Sequence, residues 1–296
     1  MTIGEKIKKL RTDKLMSQTE LAGGEITRNM LSQIEHGSAT PSLGTVNYIA
    51  SRLNVSPGFL LADEDDERLY LKHNEMNNIK KAYSAKNFAL CYDMCKNCEW
   101  SDDELMLILA KCSLYVGVEA FAKGELHRAV EILDEALDCC GETIYDTDII
   151  SREARSYFEY MELISPTLAS NNFDQSELER IMILSDDFSI YSELICEAEQ
   201  NTWSEVLYLD ERKKQLTEDS SYLLHVEARL EMDNGEYQKA LELLHELLYG
   251  EHYELPEPMM YFVFCDLEIC CKETDDFKGA YEHSTNKMAL LQKMLA

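Results

Sequence analysis

Apolar residues recur at helical spacing from the start of the chain. Ile3, Ile7 and Leu10 share one face of a first helix, with Lys6, Lys8 and Lys9 expected on its exposed side. Ser17 is placed to cap a short helix from Gln18 to Ala22. Gly23 and Gly24 break it, and Thr27 caps a second helix that runs to about His36 before Gly37. Leu21, Ala22, Ile26, Leu31 and Ile34 are the apolar positions that hold these two helices together, which leaves Arg28, Asn29, Ser32 and Gln33 facing outward. After a loop containing Pro41, Leu43, Val46, Ile49, Ala50 and Leu53 form the stripe of a longer helix. Pro57 then opens a last short one through Phe59, Leu60 and Leu61. The run Ala62 to Glu67 is acidic; it reads as a solvated linker or as the acidic first turn of the next helix. The domains are therefore expected at 1–62 and 63–296.

Beyond that run no strand-like alternation of any length occurs, and an internal repeat does. Six times a polar turn is followed by an apolar or aromatic residue and, three positions on, by a small or slim one. The copies are Asn87-Phe88 with Cys91, Glu125-Leu126 with Ala129, Asn172-Phe173 with Ser176, Thr202-Trp203 with Val206, Glu236-Tyr237 with Ala240, and Asp276-Phe277 with Ala280. The small positions are 38, 47, 30, 34 and 40 residues apart, scattered around the tetratricopeptide period of about 34. A small residue suits the place where the second helix of a pair crosses close against the first. Residues 109–137 and 222–248 resemble such repeats most directly: Gly117 precedes Ala129, and Ala228 precedes Ala240, by 12 residues each. The register is least regular from about Thr143 to Asp210. These elements predict an all-α chain of a five-helix domain followed by a right-handed α-solenoid of about six tetratricopeptide-like helix pairs.

Charge separates the two parts. The chain holds 28 Lys and Arg against 56 Asp and Glu; seven and five of these lie in residues 1–62, leaving 21 and 51 beyond. Only the N-terminal part suits a polyanion, and the rest would be repelled by one. No apolar run approaches membrane-spanning length and the N-terminus is a polar amphipathic start, so a cytoplasmic location and no membrane partner are expected. Ten cysteines without a secretory signal read as reduced thiols. Cys91, Cys95 and Cys98 have metal-like spacing but no second ligand pair nearby, so no metal and no cofactor are expected. No Ser/His/Asp order, phosphate loop or HExxH motif supports an enzyme.

The outward set on the second short helix is what a major groove requires: Arg forks onto guanine, Asn and Gln onto adenine, and Ser adapts to either. The run from Ser17 to Gly37, SQTELAGGEITRNMLSQIEHG, closely resembles the helix-turn-helix of the phage repressors and their bacterial relatives, the lambda-repressor-like fold, over about Ile3 to Leu61. The resemblance implies that Gln18 opens the first helix of the motif on a phosphate, that Thr27 caps the recognition helix, and that Arg28, Asn29, Ser32 and Gln33 read bases. It also implies that Arg11 pairs with Glu35, tying the first helix to the recognition helix. Lys6 is expected to make a sequence-independent backbone contact. The Gly23-Gly24-Glu25 turn is one residue shorter than in the phage proteins, a departure that bears on the tilt of the recognition helix.

A helix-turn-helix ahead of tetratricopeptide-like repeats resembles the Rgg and PlcR-like (RRNPP-type) peptide-sensing regulators. That resemblance implies a homodimer on double-stranded DNA with two half-sites, and operator affinity set by a short peptide in the concave groove of the repeats. The alternative is that the repeats bind a protein partner or only dimerise. Carrying the concave positions onto this chain gives His73, Met76 and Lys80; Lys111, Leu114 and Val118; Tyr191; Tyr222, His225 and Arg229; and Phe262, Cys265, Ile269 and Lys272. Lys80, Lys111, Arg229 and Lys272 are expected to receive a carboxylate of an extended peptide, against the plainer reading that aromatic positions pack and basic residues pair with neighbouring carboxylates.

Overall fold

Five short helices build the N-terminal part: α1 (Ile3–Asp13), α2 (Gln18–Ala22), α3 (Arg28–Glu35), α4 (Leu43–Leu53) and α5 (Pro57–Leu61). Each starts on a hydroxyl. Thr2, Ser17, Thr27, Ser42 and Ser56 occupy the N-cap positions and accept a hydrogen bond from the backbone N–H three residues on, and Glu5 and Glu20 close reciprocal capping boxes on α1 and α2. A cap of this kind stabilises a helix by about 1 kcal/mol, which matters in helices this short. Ile7, Leu21, Ala22, Leu31, Ile34, Val46, Ile49, Ala50, Leu53 and Leu60 form the shared core. Leu43, expected in the α4 stripe, is instead exposed at the first position of the helix, while Thr45 and Val46 in the same turn are buried.

The computed structural model describes residues 1–62, 64–169, 186–199 and 212–296, and these contain helices and no strand. Two compact units divide the chain, Met1–Lys81 and Ala82–Ala296, so the division falls inside α6 (Glu64–Ser84) rather than after Ala62. The acidic run continues from Glu64 into the start of that helix.

The remaining helices are α7 (Phe88–Lys96), α8 (Asp103–Ala122), α9 (Leu126–Gly141), α10 (Asp148–Ile164), α11 (Asp187–Glu199), α12 (Ser221–Asp233), α13 (Tyr237–Tyr249), α14 (Glu257–Glu273) and α15 (Phe277–Met294). Four turns of the sequence repeat join helix pairs: α6 to α7, α8 to α9, α12 to α13 and α14 to α15. In each, the middle residue of a three-residue turn is left-handed, at Lys86 (φ 57°), Gly124 (74°), Gly235 (77°) and Asp275 (61°). The next N–H then closes on a carbonyl five residues back: Asn87 to Ala82, Glu125 to Ala120, Glu236 to Glu231 and Asp276 to Cys271, at 2.8 to 3.0 Å. The small positions Cys91, Ala129, Ala240 and Ala280 are all buried. At Gly117 the crossing is so close that a Cβ would sit 2.8 Å from the Leu133 side chain of α9. The copies at Phe173 and Trp203 lie outside the described residues.

One expectation is overturned here. α8 is long and apolar enough, by length and composition, to cross a membrane. Its hydrophobicity has another cause: it is packed on several sides, against α7, α9, α10 and α14, and a helix so enclosed is apolar nearly all round.

Candidate nucleic-acid interface

The interface is set by how α3 is held. Its inner face buries Leu31 and Ile34, and the Thr27 hydroxyl accepts from Met30 N at 3.1 Å. Arg28, Asn29 and Gln33 are exposed and Ser32 is half-buried. Glu35, at the far end of α3, has a side chain only 1% exposed. Arg11 of α1 grips it with a fork, Nε to Oε1 at 2.7 Å and Nη2 to Oε2 at 3.1 Å, while Arg11 Nη1 donates to the Met16 carbonyl at 2.8 Å. Gln18 Nε2, at the start of α2, donates to Glu35 Oε2 at 2.8 Å. Burial alone would raise the Glu35 pKa, but the hydrogen bonds from Arg11 and Gln18 and the Arg11 charge outweigh it and hold the carboxyl below its ordinary range. Three helices thus meet on one carboxylate. One of the two N–H donors of the Gln18 amide is spent on this contact, so any phosphate contact by its side chain falls to the other.

The shortened turn is closed from α4. Tyr48 donates its hydroxyl to the Ala22 carbonyl at 2.9 Å, and Arg52 Nη2 donates to the Glu20 carbonyl at 2.6 Å, satisfying carbonyls that the end of α2 leaves without helical partners. Gly23 sits at φ 56°, ψ −134°, and a Cβ there would collide with the Tyr48 hydroxyl; only glycine fits. Sequence reasoning missed this clamp, although Tyr48 and Arg52 stand one turn apart beside the α4 stripe.

Lys6 is corrected. Far from facing solvent on α1, it is 1% exposed, and its Nζ donates to the carbonyls of Phe59 at 3.3 Å and Ala62 at 2.8 Å. An ammonium buried there caps the C-terminal end of α5, and it is unable to reach a phosphate. Lys8 and Lys9 are exposed on the same helix.

The groove candidates divide into those that are buried and those that are not. Tyr191, His225, Phe262 and Leu114 are buried and Arg229 nearly so, so they are corrected from a ligand lining to packing and internal pairing. Arg229 Nε donates to Asp266 Oδ2 at 2.7 Å, Nη1 donates to Glu199 Oε1 at 2.7 Å, and the guanidinium lies over the Phe262 ring. Asp266, whose carboxyl is held low because the Arg229 charge and the His225 hydrogen bond outweigh its burial, accepts from His225 Nε2 at 2.8 Å. With Nε2 carrying the proton, Nδ1 accepts from the Tyr191 hydroxyl at 2.7 Å, and the Tyr191 oxygen in turn accepts from the Tyr160 hydroxyl at 3.1 Å. One directed chain of bonds therefore runs across α10, α11, α12 and α14. Lys272 pairs with Glu268 at 2.6 Å on the surface, so it too is committed. Tyr222 is half-buried, its ring packed on Tyr191 and Phe188. Lys80 is exposed and Lys111 half-buried. Cys91 and Cys95 are buried on α7, and burial pushes the Cys95 thiol up. Among the described residues no group of three or more His, Cys, Asp or Glu could hold a metal ion.

Comparison with known proteins bears on the first unit. Residues 7–60 match the helix-turn-helix family model, and they form a helix-turn-helix domain. The immunity repressor protein of Bacillus phage phi105 is 31% identical over 65 residues, which is 22% of this chain and 45% of that protein, so the match spans less than half of the relative. Among solved structures, PlcR of Bacillus thuringiensis in complex with the peptide PapR7 and DNA aligns over 98% of both chains at 16% identity and a TM-score of 0.25. ComR of S. thermophilus with DNA and its signalling peptide ComS aligns over 98% of this chain and 99% of that one, at 17% identity and a TM-score of 0.25. TM-scores this low establish no shared arrangement.

Two expectations follow from these contacts. Replacing Arg11 with Met leaves the Glu35 carboxylate buried without its cation and should destabilise the first unit by about 3 kcal/mol, and Lys6→Met should also lower its melting temperature. Both are read by thermal unfolding; an unchanged melting temperature for either contradicts its assigned role. In the second unit burial lowers the His225 pKa, so the unfolded chain binds a proton that the folded one refuses. The stability this contributes is complete above about pH 6.5 and falls as the pH drops below it. His225→Gln should flatten the stability slope below about pH 6.5, measured by urea unfolding; an unaltered slope would sink the account of the network.

Proposed function

We propose that this chain is a sequence-specific DNA-binding transcription regulator rather than an enzyme, and that it acts as a homodimer on two half-sites. The observation that carries the reading is the outward set Arg28, Asn29 and Gln33 on a helix whose back is fixed by a buried carboxylate. Forked donors on a rigid mount suit base edges in the major groove, where each good bidentate contact discriminates by about 1 to 3 kcal/mol. A single recognition helix reads only a half-site, so dimerisation follows from geometry. The acidic repeats disfavour non-specific binding, which sharpens the ratio of specific to non-specific affinity.

The second part of the proposal is that a short peptide bound by the repeat unit sets operator affinity. Its support is the order of parts in the chain, a helix-turn-helix ahead of stacked helix pairs. Tyr191, His225, Arg229 and Phe262 do not support it, being committed to each other. A repeat unit that binds a protein partner or only dimerises is the alternative.

The test of the first part is a titration of the full chain against duplexes that differ by single base pairs. Gln33→Ala should cost about 1 to 3 kcal/mol at the preferred site and relax one base position. A loss that is uniform across all duplexes would show that Gln33 reads no base.

A further inference from the structure

The connection between α9 and α10, with the first turn of α10, holds large apolar side chains out in solvent on a fixed mount. Ile144 is 85% exposed, Ile149 56% and Tyr145 48%. The mount is Asp103, at the start of α8: its carbonyl accepts from the Thr143 hydroxyl at 2.9 Å and its Oδ1 accepts from Ile144 N at 2.8 Å. Tyr145 N donates to Thr143 Oγ1 at 3.3 Å, and Asp148 N, at the start of α10, donates to Asp146 Oδ1 at 3.0 Å. Three large apolar side chains exposed within residues 144–149 offer a candidate interaction surface, whereas single exposed residues do not.

Charge says what covers it. Glu142, Asp146 and Asp148 are exposed beside the apolar group. From Ala129 to Ser151 the chain has seven acidic residues and no Lys, Arg or His; the next cation, Arg152, donates its Nε to the Asp148 carbonyl at 3.3 Å. An acidic rim repels a second copy of the same face and a nucleic acid alike, and it complements a cationic partner.

We propose that this face docks a cationic amphipathic segment of a partner protein. Aliphatic side chains of that segment cover Ile144, Tyr145 and Ile149, and its Lys or Arg residues meet the carboxylates of Glu142, Asp146 and Asp148. Tyr145, apolar in its ring and polar at its tip, is the natural anchor of such a contact. The inference does not depend on DNA binding or on a peptide effector.

The test uses the full chain and two fluorescent peptides of equal length, one amphipathic with Leu and Lys, the other with Glu in place of every Lys. The Lys peptide should bind, more weakly at high salt, and the Glu peptide should not. Ile144→Ser with Ile149→Ser removes apolar surface, leaves every charge in place and, at exposed positions, leaves the melting curve unchanged; it should weaken the Lys peptide about tenfold. Asp146→Asn with Asp148→Asn should weaken it comparably. Equal binding by the first double variant would mean a general attraction to acidic surface and would overturn the proposal. So would a change from dimer to monomer in sedimentation of that variant, which would assign the face to a second copy.

Discussion

Glu35 has almost no water to turn to. A carboxylate 1% exposed is stable only while its partners stay in place, and those partners arrive from α1 and from the start of α2 (Arg11 and Gln18). The position of α3 is therefore fixed by a cost: moving it leaves a buried charge unpaired, which is worse than having no pair at all. The outward presentation of Arg28, Asn29 and Gln33 depends on this, since long flexible side chains read bases only from a backbone that does not shift. The shortened turn adds a second constraint, because Gly23 admits the Tyr48 hydroxyl only by lacking a Cβ.

The second unit solves a related problem with a longer chain of polar groups. Tyr160, Tyr191, His225, Asp266 and Arg229 are satisfied only together. Buried networks of this kind specify one packing of the helices that contribute to them, and here they tie α10 and α11 to α12 and α14. Around them runs an aromatic cluster that includes Phe121, Tyr157, Phe188 and Tyr222. The same commitment removes these side chains from the surface available to a ligand.

Much of this was legible in the sequence because it is local. Caps, helix periods and the turn followed by a small residue are patterns within a few positions, so the five N-terminal helices and the starts of α7, α9, α13 and α15 could be read directly. The outward set on α3 followed from its apolar complement. What could not be read is long-range. Nothing in the spacing around Lys6 says that the end of α5 lies over it, or that Asp266 lies opposite Arg229. A lysine beside two others reads as surface until the carbonyls it serves are known, and a basic residue at a concave position reads as ligand-binding until its carboxylate is found. The apolar length of α8 was passed over in the sequence, and composition alone leaves it open, since enclosure by neighbouring helices and by lipid leave the same composition.

The central claim is that α3 reads sequence. The most direct measurement is selection of duplexes from a randomised pool by the full chain, followed by sequencing. The account predicts enrichment of two inverted half-sites with centres about one helical turn apart, or a multiple of it. Retention of DNA without enrichment of any sequence would contradict it.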